Sequence, residues 1–171
     1  MFVPEGGAVR AWLSLGSNID RRRHIRQALE DLRSHFGELQ MSPVYESEAV
    51  GCAGDNFYNL VVGIRTALPI EALVERLREI ERQHGRLRSD DKFAPRTLDI
   101  DLLTYADWVV DKPGIQLPRD EITHYAFVLL PLAEVAGNEV HPLTGLTYRE
   151  LWETFDHRTQ PLWRVELSAQ K

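Results

Sequence analysis

A chain of 171 residues, 43% hydrophobic and 27% charged, has the length and composition of one globular domain able to bury a core. Its formal charge of −6 argues against a broad nucleic-acid surface, no apolar run approaches the ~18 residues of a membrane span, and the start MFVPEGGAVR lacks the basic-then-apolar layout of a signal peptide. Cys52 stands alone, which excludes a disulfide framework or a CxxC site and fits a reducing cytoplasm.

In chain order, VRAWLSLG (residues 9–16) reads as a strand. Asn18 or Asp20 can then cap a helix whose inner face is Ile25, Ala28, Leu29, Leu32 and Phe36, and Gly37 ends it. Two extended stretches follow, 39–48 and 57–66, joined by a loop holding Gly51, Gly54, Asp55 and Asn56. FYNLVVGIRT, the second of them, has the aromatic and β-branched content of a strand. Pro69 suits the first turn of a second helix with the apolar stripe Ile70, Leu73, Leu77 and Ile80, and Gly85 is its stop. A basic segment comes next: from 82 to 96, Arg82, Arg86, Arg88, Lys92 and Arg96 face only Asp90 and Asp91, a reversal of the overall charge that suits either a small anionic ligand or a solvated loop. A strand at 96–105, a helix at 126–136 that Pro131 would kink or split, and a short helix at 148–155 complete the reading. The order β-α-β-β-α-β predicts an α+β, ferredoxin-like core with a C-terminal helical extension. One domain over 1–171 is expected, with 1–8 as a lead-in and 157–171 as a peripheral tail.

RTLDIDLLTYAD, residues 96–107, puts two carboxylates inside a run that otherwise reads as buried. Side chains alternate along a strand, so Leu98, Ile100 and Leu102 share the core face while Thr97, Asp99, Asp101 and Leu103 share the other. Two like charges in a row need a cation between them. A salt-bridge partner such as Arg96 would serve; so would Mg²⁺, which takes oxygen ligands and is held by one or two carboxylates plus substrate phosphates. The preceding arginines supply the other half of a metal–phosphate site, since a guanidinium fork matches phosphate oxygens. Other chemistries lack their motifs: there is no GxxxxGK[ST] loop, no GxSxG elbow and no HExxH. "SLGSN" is too short to cradle a triphosphate and suits a tight turn and cap. His84 falls on the second helix's apolar stripe and is expected to be packed, whereas His124, beside Tyr125, reads either as a packing histidine or as a site residue.

LSLGSN, FYNLVVGI, GRLRSDDKFAPRTLDIDLL and FVLLPLAEVA, in this order between about residues 9 and 155, resemble the 6-hydroxymethyl-7,8-dihydropterin pyrophosphokinase family of the folate pathway. The segment PRTLDIDLL is the specific one; the others persuade jointly. The resemblance implies a ferredoxin-like core and transfer of the β,γ-pyrophosphoryl group of ATP to the pterin hydroxymethyl, releasing AMP. It implies two Mg²⁺ ions at Asp99 and Asp101, with Arg86, Arg88, Lys92 and Arg96 neutralising the transferring group. It also implies that Arg119, His124 and Tyr125 contact the nucleotide and that Glu81 sits near it. For the pterin it implies stacking by Phe57 and Phe127, recognition of the polar edge by Asn59, Ser47 and the backbone near Val50, and closure by Phe93. The partners so implied are small molecules, with no nucleic acid and no membrane, acting on a cytoplasmic monomer.

The sequence departs from the family's pattern after His124-Tyr125, where Ala126-Phe127 follows directly and a basic residue with part of a closing loop is missing. The loop before Phe57 is about one residue short, and Glu48 stands where proline is frequent. Two alternatives follow: a non-catalytic or slow homologue that binds ATP or pterin, and a Mg²⁺-dependent nucleotidyl transferase, whose paired aspartates would suit the same sheet.

Overall fold

The computed structural model describes residues 7–48, 55–86 and 97–167. Its main sheet is antiparallel throughout and runs in the order β5-β1-β4-β3-β8, where β1 is Val9–Ser17, β3 Val44–Ser47, β4 Phe57–Thr66, β5 Asp99–Tyr105 and β8 Leu162–Val165; β2, Gln40–Met41, also pairs with β4. Helices α1, Arg21–Phe36, and α2, Ile70–Gln83, connect strands in the ferredoxin-like manner, and the structure bears out that α+β prediction. Gly37 and Gly85, with φ of 79° and 78°, end the two helices in the region glycine adopts without strain. Asp20 is the N-cap of α1 but its side chain makes no capping bond, and Asn18 donates instead to the Asp55 carbonyl at 3.2 Å. SLGSN is therefore mostly strand, Gly16 and Ser17 pairing with Asn59 and Tyr58, rather than a turn and cap.

Alternation along the strands sorts the interior into two layers. Ala11, Leu13, Leu15, Leu60, Val62, Ile64, Ile100 and Leu102 face α1 and α2, where Ile25, Leu32, Leu73, Leu77 and Ile80 meet them. On the other face, Trp12, Val61 and Leu103 meet α4, Ala126–Ala136, through Val128, Leu129 and Leu132; Tyr148 of α5, Tyr148–Thr154, joins them. The face expected to be non-core is thus a second core at one end. α4 runs as one helix across Pro131, so of the kink or split expected there the split does not occur.

Several elements differ from the sequence reading. The stretch 39–48 is two strands, because Ser42 leaves the ladder to exchange bonds with Val61: its N–H donates to the Val61 carbonyl and its Oγ accepts from the Val61 N–H, each at 2.9 Å. β6, Val110–Lys112, and β7, Ile115–Leu117, form a hairpin turned by Gly114, and α3 spans Glu121–His124. Within the expected tail, β8 adds an edge strand to the sheet by pairing with β3. His84 is the C-cap of α2 rather than part of its stripe; its side chain is nonetheless buried, with Nδ1 2.8 Å from His24 Nδ1 and Nε2 3.1 Å from Asp31.

Candidate active site

Where α4 begins, its cover of the second face stops, and a cleft of about 670 Å³ opens beside it. The strand positions that carry Trp12, Val61 and Leu103 at the covered end carry Ser14 and Gly16 of β1, Phe57 and Asn59 of β4, and Asp99 and Asp101 of β5 at the open end. Ser47 of β3 and Glu48 extend the floor. Tyr125, Phe127, Arg119 and Glu121 stand along one side, and Thr159, Gln160, Pro161 and Leu162 form the rim.

Asp99 and Asp101 lie opposite Gly16 and Ser14 in the ladder, so both project from the same face, as the alternation predicts. Each has an arginine partner: Arg86 Nε donates to Asp99 Oδ1 at 2.8 Å in a buried pair, and Arg78 Nη2 lies 3.4 Å from Asp101 Oδ1. The expected alternative partner, Arg96, lies outside the described residues, as do Val50, Arg88, Lys92 and Phe93. Arg78 was not foreseen. Its Nη1 also donates to Glu81 at 2.6 Å and to the Ile100 carbonyl at 3.0 Å, while Glu81 accepts from the Ile100 N–H at 2.7 Å. β5 is an edge strand, and this pair occupies the outward backbone groups of the residue between the two aspartates, as a neighbouring strand would. Glu81, at 1% exposure, does not line the cleft. Its carboxylate is engaged instead by Arg78 and the Ile100 N–H, beside the strand that carries the two aspartates.

Phe57, Phe127, Asn59 and Ser47 all line the cleft. Asn59 accepts from Ser47 Oγ at 3.4 Å, and a Cβ on Gly16 would come within 2.7 Å of Asn59 Nδ2, so the glycine is what lets the amide lie there. Tyr125 stacks on Phe127 with ring centroids 5.1 Å apart. His124 is not brought to the cleft: its side chain is 61% exposed and its Nδ1 is 2.8 Å from the Asp120 carbonyl, because α3 turns it outward. The residues missed include Ser14, Gly16, Glu121 and Gln160. Gln160 accepts from the Ala126 N–H at 2.9 Å and donates to the His124 carbonyl at 3.1 Å, fastening the start of α4; no local pattern announces such a contact across 34 residues.

The donor set suits a hard divalent cation. Asp99 and Asp101 offer oxygen ligands, and among the described residues no group of three or more His, Cys, Asp or Glu converges into an all-protein cage. The described lining residues include four carboxylates, Glu48, Asp99, Asp101 and Glu121, and one guanidinium, that of Arg119, while Arg86 and Arg78 pair with the two aspartates.

A family profile, 7,8-dihydro-6-hydroxymethylpterin-pyrophosphokinase, matches residues 12–137. The chain is 34% identical over 134 residues to the 2-amino-4-hydroxy-6-hydroxymethyldihydropteridine pyrophosphokinase of Aquifex aeolicus, covering 77% of this chain and 83% of that one. It is 36% identical over 131 residues to the enzyme of the same name from Pseudomonas aeruginosa, covering 74% and 80%. It is 33% identical over 155 residues to the folic acid synthesis protein fol1 of Pneumocystis carinii, where it covers 88% of this chain but spans only 21% of the relative. In fold it is similar to a Plasmodium falciparum HPPK-DHPS crystal structure, with a TM-score of 0.71 at 16% identity over 87% of this chain and 42% of that one. The chain belongs to the 7,8-dihydro-6-hydroxymethylpterin-pyrophosphokinase family.

Proposed function

We propose that the cleft beside α4 is where this chain carries out the reaction of its family: transfer of the β,γ-pyrophosphoryl group of ATP to the hydroxymethyl group of 6-hydroxymethyl-7,8-dihydropterin, with release of AMP, in folate biosynthesis. The observation that carries this reading is the juxtaposition in one cleft of two carboxylates, Asp99 and Asp101, with aromatic and amide or hydroxyl groups, Phe57, Phe127, Asn59 and Ser47. The cleft's volume lies within the range of small-molecule sites.

In this reading Phe57 and Phe127 take the faces of the pterin ring, and Asn59 and Ser47, with the backbone near Val50, read its polar edge. Phe93 closes over it. Asp99 and Asp101 would hold two Mg²⁺ ions, which would neutralise the negative charge of the ATP phosphates. Arg119 and Tyr125 contact the nucleotide from the side of the cleft. Arg88, Lys92 and Arg96 neutralise charge on the transferring group, and Arg86 joins them from its place on Asp99. Glu81 and Arg78 act through Ile100, holding the spacing of the two carboxylates. No general base is assigned, because this chemistry depends on positioning and charge stabilisation. The chain acts as a cytoplasmic monomer on small molecules and needs no nucleic acid.

The test is the product. Incubated with ATP, Mg²⁺ and 6-hydroxymethyl-7,8-dihydropterin, the protein is expected to yield AMP and a diphosphorylated pterin. Release of ADP would mean simple kinase chemistry, and release of pyrophosphate would mean nucleotidyl transfer. Ligand binding without turnover would make the chain a binding module.

A further inference from the structure

Glu121 is a carboxylate on the cleft wall to which neither the aspartate pair nor the pterin pocket gives a task. It opens α3, and its two oxygens occupy the guanidinium fork of Arg119: Nε donates to Oε1 at 3.1 Å and Nη2 to Oε2 at 2.5 Å. The backbone carrying both side chains is fixed. The Arg119 N–H donates to the Leu103 carbonyl of β5 at 2.9 Å, the Tyr125 N–H to the Glu121 carbonyl at 3.0 Å, and Ile122 between them is fully buried in the second core. Rearrangement here is therefore a matter of side-chain torsions. The side chains are 30% and 34% exposed, which puts the pair among those that solvent weakens and a stronger anion can displace.

A guanidinium fork presents the same pair of N–H donors to a carboxylate as to a phosphate. Glu121 and a phosphate oxygen pair consequently compete for one set of donors, on the wall where Arg119 is the single cation among the described lining residues. We propose that Glu121 is a built-in competitor for Arg119: it holds the fork, must be displaced by nucleotide phosphate, and so sets nucleotide affinity below what Arg119 would give unopposed. The proposal rests on the reading of Arg119 as a nucleotide contact, and it makes Glu121 a determinant of ATP affinity that takes no part in the chemical step.

Glu121→Gln removes the charge but keeps one acceptor oxygen for the fork, so the orientation of Arg119 is preserved. In calorimetric titration of the whole chain with Mg²⁺ and the α,β-methylene analogue of ATP, E121Q is expected to bind roughly three- to tenfold more tightly, the scale of a partly exposed ion pair. Arg119→Met is expected to weaken binding, and E121Q added to R119M to change nothing further. Unchanged or weaker binding in E121Q would overturn the proposal, as would an E121Q gain that persists in the R119M background, which would reflect only the general charge of the cleft. Unaltered affinity in R119M itself would remove the reading of Arg119 as a nucleotide contact, and the competitor with it. Failure at E121Q alone removes the competitor and leaves that reading standing.

Discussion

The two ends of one sheet face use the same strands, the same register and the same alternation, yet one is closed and the other is a site. At the closed end Trp12, Val61 and Leu103 pack under Val128, Leu129 and Leu132 of α4; at the open end the same strands present Ser14, Gly16, Asn59, Asp99 and Asp101. A glycine makes room for a neighbour's side chain at each end. A Cβ on Gly63 would lie 2.5 Å from the Trp12 ring, and one on Gly16 would lie 2.7 Å from Asn59 Nδ2. The intruder at the closed end is an indole, its N–H satisfied by Glu139 at 2.9 Å; at the open end it is an amide lining a cleft. The strand frame is indifferent to function. What separates core from site is where the covering helix starts and which side chains stand beyond it.

Substitutions at the two ends should therefore fail differently. Asp101→Asn, which keeps the shape and removes the charge, is expected to reduce turnover on the order of 10²–10³-fold, as loss of a transition-state charge partner does. Its melting temperature should move little, because the side chain is partly exposed and the amide keeps its shape and one acceptor oxygen. Leu132→Ala at the closed end is expected to cost about 2–5 kcal/mol of stability while leaving turnover per folded molecule unaltered. Parallel denaturant melts and single-turnover assays check both. Should Asp101→Asn unfold the chain, or Leu132→Ala silence it without destabilising it, the division of the face is wrong.

That division was partly legible before any coordinates. The period of the apolar residues gave both helices and the main strands, and the two-residue spacing of Asp99 and Asp101 put them on one face of β5, where they are found. Other features were hidden because their cause lies far along the chain. β8 has only four residues and reads as tail until β3 is beside it. The edge position of β5, and with it the work of Arg78 and Glu81, depends on sheet order rather than on any local pattern. His124, which the sequence leaves open between a packing and a site residue, is 61% exposed at the end of α3 and is not among the described lining residues of the cleft. Leu103 was assigned with the aspartates and does line the cleft, yet it is also fully buried against α4, so one residue serves both ends of the face.

A smaller perturbation sharpens the comparison at its boundary. Gly16→Ala would drive its methyl into Asn59 Nδ2 while meeting the Tyr58 carbonyl only at 3.9 Å, so the amide must yield and the backbone need not. The expected result is about a tenfold rise in KM for the pterin, with less than about 1.5 kcal/mol lost in stability. The KM for ATP should stay near that of the parent. An equal rise in both constants would show that Asn59 organises the whole cleft rather than the pterin end.

The smallest effect is expected on the opposite face, where pH acts on stability and not on the site. His24 of α1 is buried, its Nδ1 2.8 Å from His84 Nδ1 at the end of α2, and His84 Nε2 lies 3.1 Å from Asp31. Burial, and then the neighbouring His84 and Arg23, hold the His24 pKa below its ordinary value, with Asp20 opposing weakly. Burial lowers His141 as well. For a histidine lowered in the folded state, the unfolded chain takes up the proton first as pH falls, near 6.5. The contribution is therefore complete above that value and lost as pH drops through it toward the folded pKa. Melting temperature should fall between about pH 7.5 and pH 5.5, by no more than roughly 2–4 °C from His24, and His24→Gln should make that slope shallower. Because α1 and α2 lie across the sheet from the cleft, the same substitution should leave the KM for the pterin unmoved; a parallel shift in both would mean that the two faces of the sheet are coupled rather than independent.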